Sequence, residues 1–168
     1  MKTQPPPTVS VPAQTSPTDI VGLHSTVLER PEGGEEWKNL AGEARQWAHR
    51  RAQDLGYDPI RDDTLLYHLS QLVSELVTNA LVHARGAVMI ALARERCSAL
   101  RLEVYDHSPK DGSEPHVEVH SALEAAMRTH GRGLLLVRKM STGWGALFHG
   151  TGHLVWAYPT PTDPGEVP

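Results

Sequence analysis

Residues 62–86 read DDTLLYHLSQLVSELVTNALVHARG, and the fold turns on this stretch. Leu65, Leu66, Leu69, Leu72, Val73, Leu76, Val77 and Ala80 recur at helical spacing and form one apolar stripe that runs up to His83. Asp62 and Asp63 stand where a helix start is capped, and Gly86 follows the last periodic residues, where a helix ends.

Upstream of it, Trp37, Leu40, Ala41, Ala44, Trp47 and Ala48 predict a second helix over 35–52. Gly33 and Gly34 separate that helix from a short strand at 24–29. Downstream, 88–94 and 100–105 read as paired strands joined by a turn at 96–99. The second alternates Leu100, Leu102 and Val104 with Arg101, Glu103 and Tyr105. Residues 107–130 are polar, with Pro109, Gly112 and Pro115 early and only a weak helical stretch at 121–127. A loop this long in a small domain is a binding lid or disorder. After Gly131 and Gly133, LLLVRKM reads as a buried helix, and a hairpin of 144–149 with 153–158 closes the chain. Helices early and strands late predict an α+β fold. It is a two-layer sandwich, with a mixed, mostly antiparallel sheet covered on one face by helices.

The 168 residues suit one domain with tails. The first twenty residues carry five prolines and read as a disordered arm, 21–158 as the folded domain, and 159–168 as a Pro-rich tail. With 16 Lys+Arg against 20 Asp+Glu and a net charge of -4, no basic footprint for nucleic acid stands out. No apolar run approaches the roughly 20 residues that cross a bilayer, and 1–10 lacks an apolar signal core, so a cytoplasmic protein is expected. Cys97 is the single cysteine, which excludes an intrachain disulfide and a thiolate metal cluster.

Glu75 and Asn79 lie about 40° apart on the helical wheel, at the margin of the apolar stripe. A carboxylate beside a carboxamide there either marks where the helix meets solvent or suits a magnesium nucleotide, because Mg²⁺ takes hard oxygen ligands and keeps several waters. Asp106 ends an apolar strand, where a carboxylate needs a donor; an adenine amino group is one, and a turn cap with Ser108 and Pro109 is the other. The pair Gly131 and Gly133 ahead of a helix start exposes backbone amides to a phosphate or forms a plain turn. It fits neither the Rossmann nor the P-loop pattern. His116 and His120 lack further ligands for zinc. His68 lies on the face of Glu75 but roughly 10 Å along the helix, and reads as a surface residue. His83 follows Asn79 by one turn, either bordering a phosphate region or packing at the helix end.

Taken in order, SELVTNALVHA, VYDHSP and HGRGLLLV resemble the three nucleotide-binding boxes of the GHKL superfamily of ATPases, and the similarity runs from about Leu23 to Tyr158. The short chain is similar to the bacterial anti-sigma-factor serine kinases. The resemblance implies a Bergerat-type ATP-binding fold, ATP with Mg²⁺, and a homodimer. It also implies two partners, a sigma factor and an anti-anti-sigma (STAS-type) protein whose serine is phosphorylated. By position it makes Glu75 the catalytic base, Asn79 the Mg²⁺ ligand and Asp106 the adenine reader. His83, Ser108, Gly131, Arg132, Gly133 and Leu134 become neighbours of the nucleotide. Two departures stand out. Ser108 occupies the place of a glycine in the commoner pattern, and His153 lies near a position that holds lysine in many similar chains. A non-catalytic module that sequesters a regulator is the competing reading. A sensor histidine kinase would need a dimerising helical hairpin that the Pro-rich arm does not offer.

Overall fold

The alternation at 100–105 is realised as a strand with two unlike faces: Leu100, Leu102 and Val104 are buried, while Arg101, Glu103 and Tyr105 keep partial exposure on the other side. The computed structural model describes residues 19–29, 37–83, 86–106, 133–149 and 152–162. Most of the expected arm, the lid loop with its weak helical stretch and His116 and His120, the Gly33–Gly34 break and most of the tail lie outside them. In chain order the elements are β1 (Ile20–Leu28), α1 (Trp37–Asp54), α2 (Asp63–His83), β2 (Val88–Glu95), β3 (Leu100–Asp106), α3 (Gly133–Met140), β4 (Ser141–His149) and β5 (Gly152–Pro159).

The strands form one five-stranded sheet in the order β1-β2-β3-β5-β4, antiparallel at every pairing. The expected α+β sandwich is what the chain adopts. Ile90, Leu92, Leu102, Val104 and Ala157 share one face of the sheet and join a single core with the α2 stripe. Each fully buried leucine there contributes roughly 1.5–3 kcal/mol. Ala44, Ala48 and Ala52 of α1 have no exposed surface, and their small size lets α1 approach α2 closely. Arg45 Nη1 donates to Ser74 Oγ at 3.0 Å, pinning the two helices together.

The helix ends show local chemistry that periodicity does not carry. α1 closes on Gly56, whose φ of 92° is the left-handed conformation. There Gly56 N donates to Gln53 O at 2.8 Å and Tyr57 N to Ala52 O at 3.1 Å, the bond pair of a Schellman cap. Asp62 precedes α2, and its carbonyl accepts from Leu66 N at 2.9 Å. Its carboxylate turns backward instead, taking Asp58 N at 2.7 Å and Arg61 Nη2 at 3.0 Å. Those donors hold the Asp62 carboxyl below the usual carboxylate range, Arg61 contributing most.

Two expectations need correction. His68 is not a surface residue: it is 1 % exposed, and its Nδ1 lies 2.8 Å from Thr160 O. The segment leaving β5 returns across α2, and Thr160 N also donates to Met140 O at 2.9 Å, so the chain end is tied to α2 and α3 together. A partner 92 positions away gives no signal in a helical wheel. Nor is α3 buried all round, since Val137 is enclosed while Leu135, Arg138 and Lys139 face outward. A helix of eight residues laid on one side of a sheet has only one stripe to cover.

Candidate functional site

α2 carries Glu75 and Asn79 one turn apart at the edge of its buried stripe, each half-buried. The two side chains meet, with Asn79 Nδ2 donating to Glu75 Oε1 at 3.1 Å. That bond commits the amide nitrogen and leaves the amide carbonyl as the atom able to face a ligand. A carbonyl oxygen is the kind of hard donor that Mg²⁺ accepts alongside phosphate oxygens and water. Among the described residues no three His, Cys, Asp or Glu side chains converge on a metal position. A metal held here would depend on the amide oxygen and on oxygens the nucleotide brings.

The other side of Glu75 is closed by α3. An ideal Cβ placed on Gly133 would overlap Glu75 Oε1 and Cδ and lie 3.0 Å from Cγ, so the start of α3 rests directly on the carboxylate. Only a residue without a side chain tolerates that approach. A negative group at a helix start also meets the positive end of the backbone dipole, a contribution of about 0.3–1 kcal/mol at exposed sites. Gly133 was expected to admit a triphosphate to the backbone; in this structure the space beside it is taken by Glu75.

Asp106 terminates β3 and is 8 % exposed. Its Oδ1 receives no hydrogen bond from the described residues. His153, opposite it in the β3–β5 register, places Nδ1 3.3 Å away, close enough for an ion pair but not aligned as a hydrogen bond. A buried carboxylate short of donors is costly, and it fits a ligand that supplies an N–H. The amide carbonyl and the Asp106 carboxylate therefore fit a magnesium-bound adenine nucleotide, while the start of α3 is covered by Glu75.

Of the remaining expected residues, His83 ends α2 and Leu134 lies in the first turn of α3, with both side chains outside the described residues. Ser108, Gly131 and Arg132 lie outside them altogether. The sequence singles out His153 only as lying near a position that holds lysine in many similar chains, and the structure sets it against the Asp106 carboxylate. The signal that would have found it is the β3–β5 register, which no local pattern contains.

A family model for the histidine kinase-like ATPase domain matches residues 38–151, more than half of the chain. The chain belongs to that family. Histidine kinase-like ATPase domains of the GHKL superfamily bind ATP, typically with Mg²⁺. The match takes in Glu75, Asn79, Asp106 and Gly133, and it ends just before β5, the strand that supplies His153. No curated protein matches this histidine kinase-like ATPase. No helix among its described residues is long and apolar enough to cross a membrane.

Proposed function

We propose that this histidine kinase-like ATPase is a serine/threonine protein kinase and anti-sigma factor. It holds a sigma factor and transfers the γ-phosphate of ATP to a serine on an anti-anti-sigma partner of the STAS type. The observation that carries the reading is the contact of Glu75 with Asn79 and Gly133, within the stretch the family model matches. Asn79 would hold Mg²⁺, and the metal when bound neutralises charge on the phosphate oxygens. Asp106 accepts a hydrogen bond from the adenine amino group; guanine presents a carbonyl there, which sets acceptor against acceptor. Glu75 takes the serine proton as the bond from serine oxygen to the γ-phosphorus forms and the bond to the β–γ bridging oxygen breaks. ADP leaves with that electron pair. General-base help of this kind contributes about 10² to 10⁴ fold.

The engaged state of Glu75 supports a second reading. Its carboxylate is already bonded to Asn79 and covered by Gly133, which suits a module that binds nucleotide and captures a regulator without transfer. Incubation with γ-labelled ATP and candidate sigma regulators separates the two, since phosphoserine on the partner selects the kinase and capture without label selects the module. Asn79→Ala is expected to weaken Mg²⁺-dependent ATP binding in calorimetry. Glu75→Ala is expected to leave binding largely intact and abolish transfer. Two variants that both phosphorylate normally would refute the mechanism.

A further inference from the structure

We infer that His153 is a positioning residue for nucleobase selection: it holds one oxygen of the Asp106 carboxylate, so that the other stays turned toward the base as an acceptor. The inference rests on the nucleotide reading above and adds a residue from β5, which lies wholly outside the family match.

Three observations carry it. Asp106 sits at the end of a strand on the helix-covered face, in register with His153 on the neighbouring strand, and cross-strand partners point to the same side. Oδ1 is sealed from solvent, with no hydrogen bond from the described residues, yet it has His153 Nδ1 at 3.3 Å. The Asp106 side chain keeps 10 % exposure, and with Oδ1 sealed, Oδ2 is the oxygen left to meet a ligand. The arrangement is asymmetric, with one oxygen facing the imidazole and the other facing outward.

That asymmetry bears on selectivity. A carboxylate rejects guanine only while it presents a fixed acceptor, because the penalty is the acceptor–acceptor clash. Without the imidazole facing Oδ1, the buried oxygen loses the polar neighbour at 3.3 Å, and burial without a partner is the costly state. Rotation of the carboxylate toward water relieves it and withdraws the acceptor from the base. Affinity for adenine and rejection of guanine then fall together, whereas loosened packing would weaken both nucleotides alike.

The test uses the full chain, with dissociation constants for Mg²⁺-ATP and Mg²⁺-GTP measured by calorimetry and thermal melts run alongside. His153→Leu is expected to weaken ATP binding about tenfold and to lower the ATP-over-GTP preference by a similar factor, the scale of removing one close polar partner from a buried carboxylate oxygen. His153→Asn, which keeps an amide donor near the place of Nδ1, is expected to return the preference to within about threefold of the parent. The inference is overturned if His153→Leu keeps the parental preference, or if His153→Asn loses as much preference as His153→Leu. In either case a parent that still prefers ATP leaves the nucleotide reading standing. A parent that binds neither nucleotide, or binds both equally, overturns that reading and this one together.

Discussion

Replacing Gly133 by alanine puts a methyl group where the Glu75 carboxylate now lies. The new carbon would overlap Oε1 and Cδ and stand 3.0 Å from Cγ, so the carboxylate must swing out and give up its bond to Asn79. The carboxylate is the far end of a flexible side chain, and the cost in folding is therefore small. The lost hydrogen bond costs about 1 kcal/mol, and at the first position of α3 the interior preference of alanine over glycine adds little. The melting temperature is expected to move by only a few degrees, about 5 °C at most. Function is expected to move far more. If Glu75 is the base, phosphoserine formation falls at least about 100-fold, the lower end of the range for such a group. Nucleotide affinity by calorimetry is expected to fall by less than about tenfold. A double-mutant cycle isolates the contact: in a Glu75→Ala background the methyl group has room, and the two changes are expected to couple by at least about 0.5 kcal/mol. Additive stabilities, or a Gly133→Ala protein that transfers phosphate at the parental rate, would refute the reasoning.

Other perturbations test the scaffold. Gly56→Ala forces a φ of 92° on a residue with a side chain, and its Cβ would stand 2.7 Å from Arg94 Nη1. A loss of about 1–3 kcal/mol in chemical denaturation is expected. His68→Leu preserves volume but leaves the buried Thr160 carbonyl without its partner. The expected cost is about 1–3 kcal/mol, with faster proteolysis at the chain end past β5. The Tyr57 phenol is pushed up to about 12, chiefly by burial, against which Arg94 acts. Between pH 10 and 12 the unfolded chain has released that proton and the folded chain has kept it. Stability from this group is therefore full below pH 10 and is lost as pH rises toward 12. Denaturation at pH 9 and pH 12 is expected to show a smaller drop for Tyr57→Phe than for the parent, and equal drops would exclude the assignment.

Much of the fold is legible because its signals are local. The α2 stripe and the alternation at 100–105 each repeat within a few residues, and burial follows those periods directly. The α1 boundary was placed two residues early because Gly56 acts through a left-handed cap and not through periodicity. LLLVRKM looked buried because three leucines are consecutive, yet on a helix consecutive residues point in different directions and Leu135 faces solvent.

By itself the sequence determined which residues could carry chemistry: an acid and an amide four apart on one helix, a carboxylate ending an apolar strand, and glycines before a short helix. Helical and strand periods fix the direction of a side chain within its own element, and that suffices for such a list. Only the tertiary structure decided which of them touch across elements. It laid Gly133 on Glu75, set His153 against Asp106, and turned His68 from a surface residue into the anchor of the chain end. Those contacts join positions 47 to 92 residues apart, and they depend on how the helices pack and on strand register, which are set by the whole core at once.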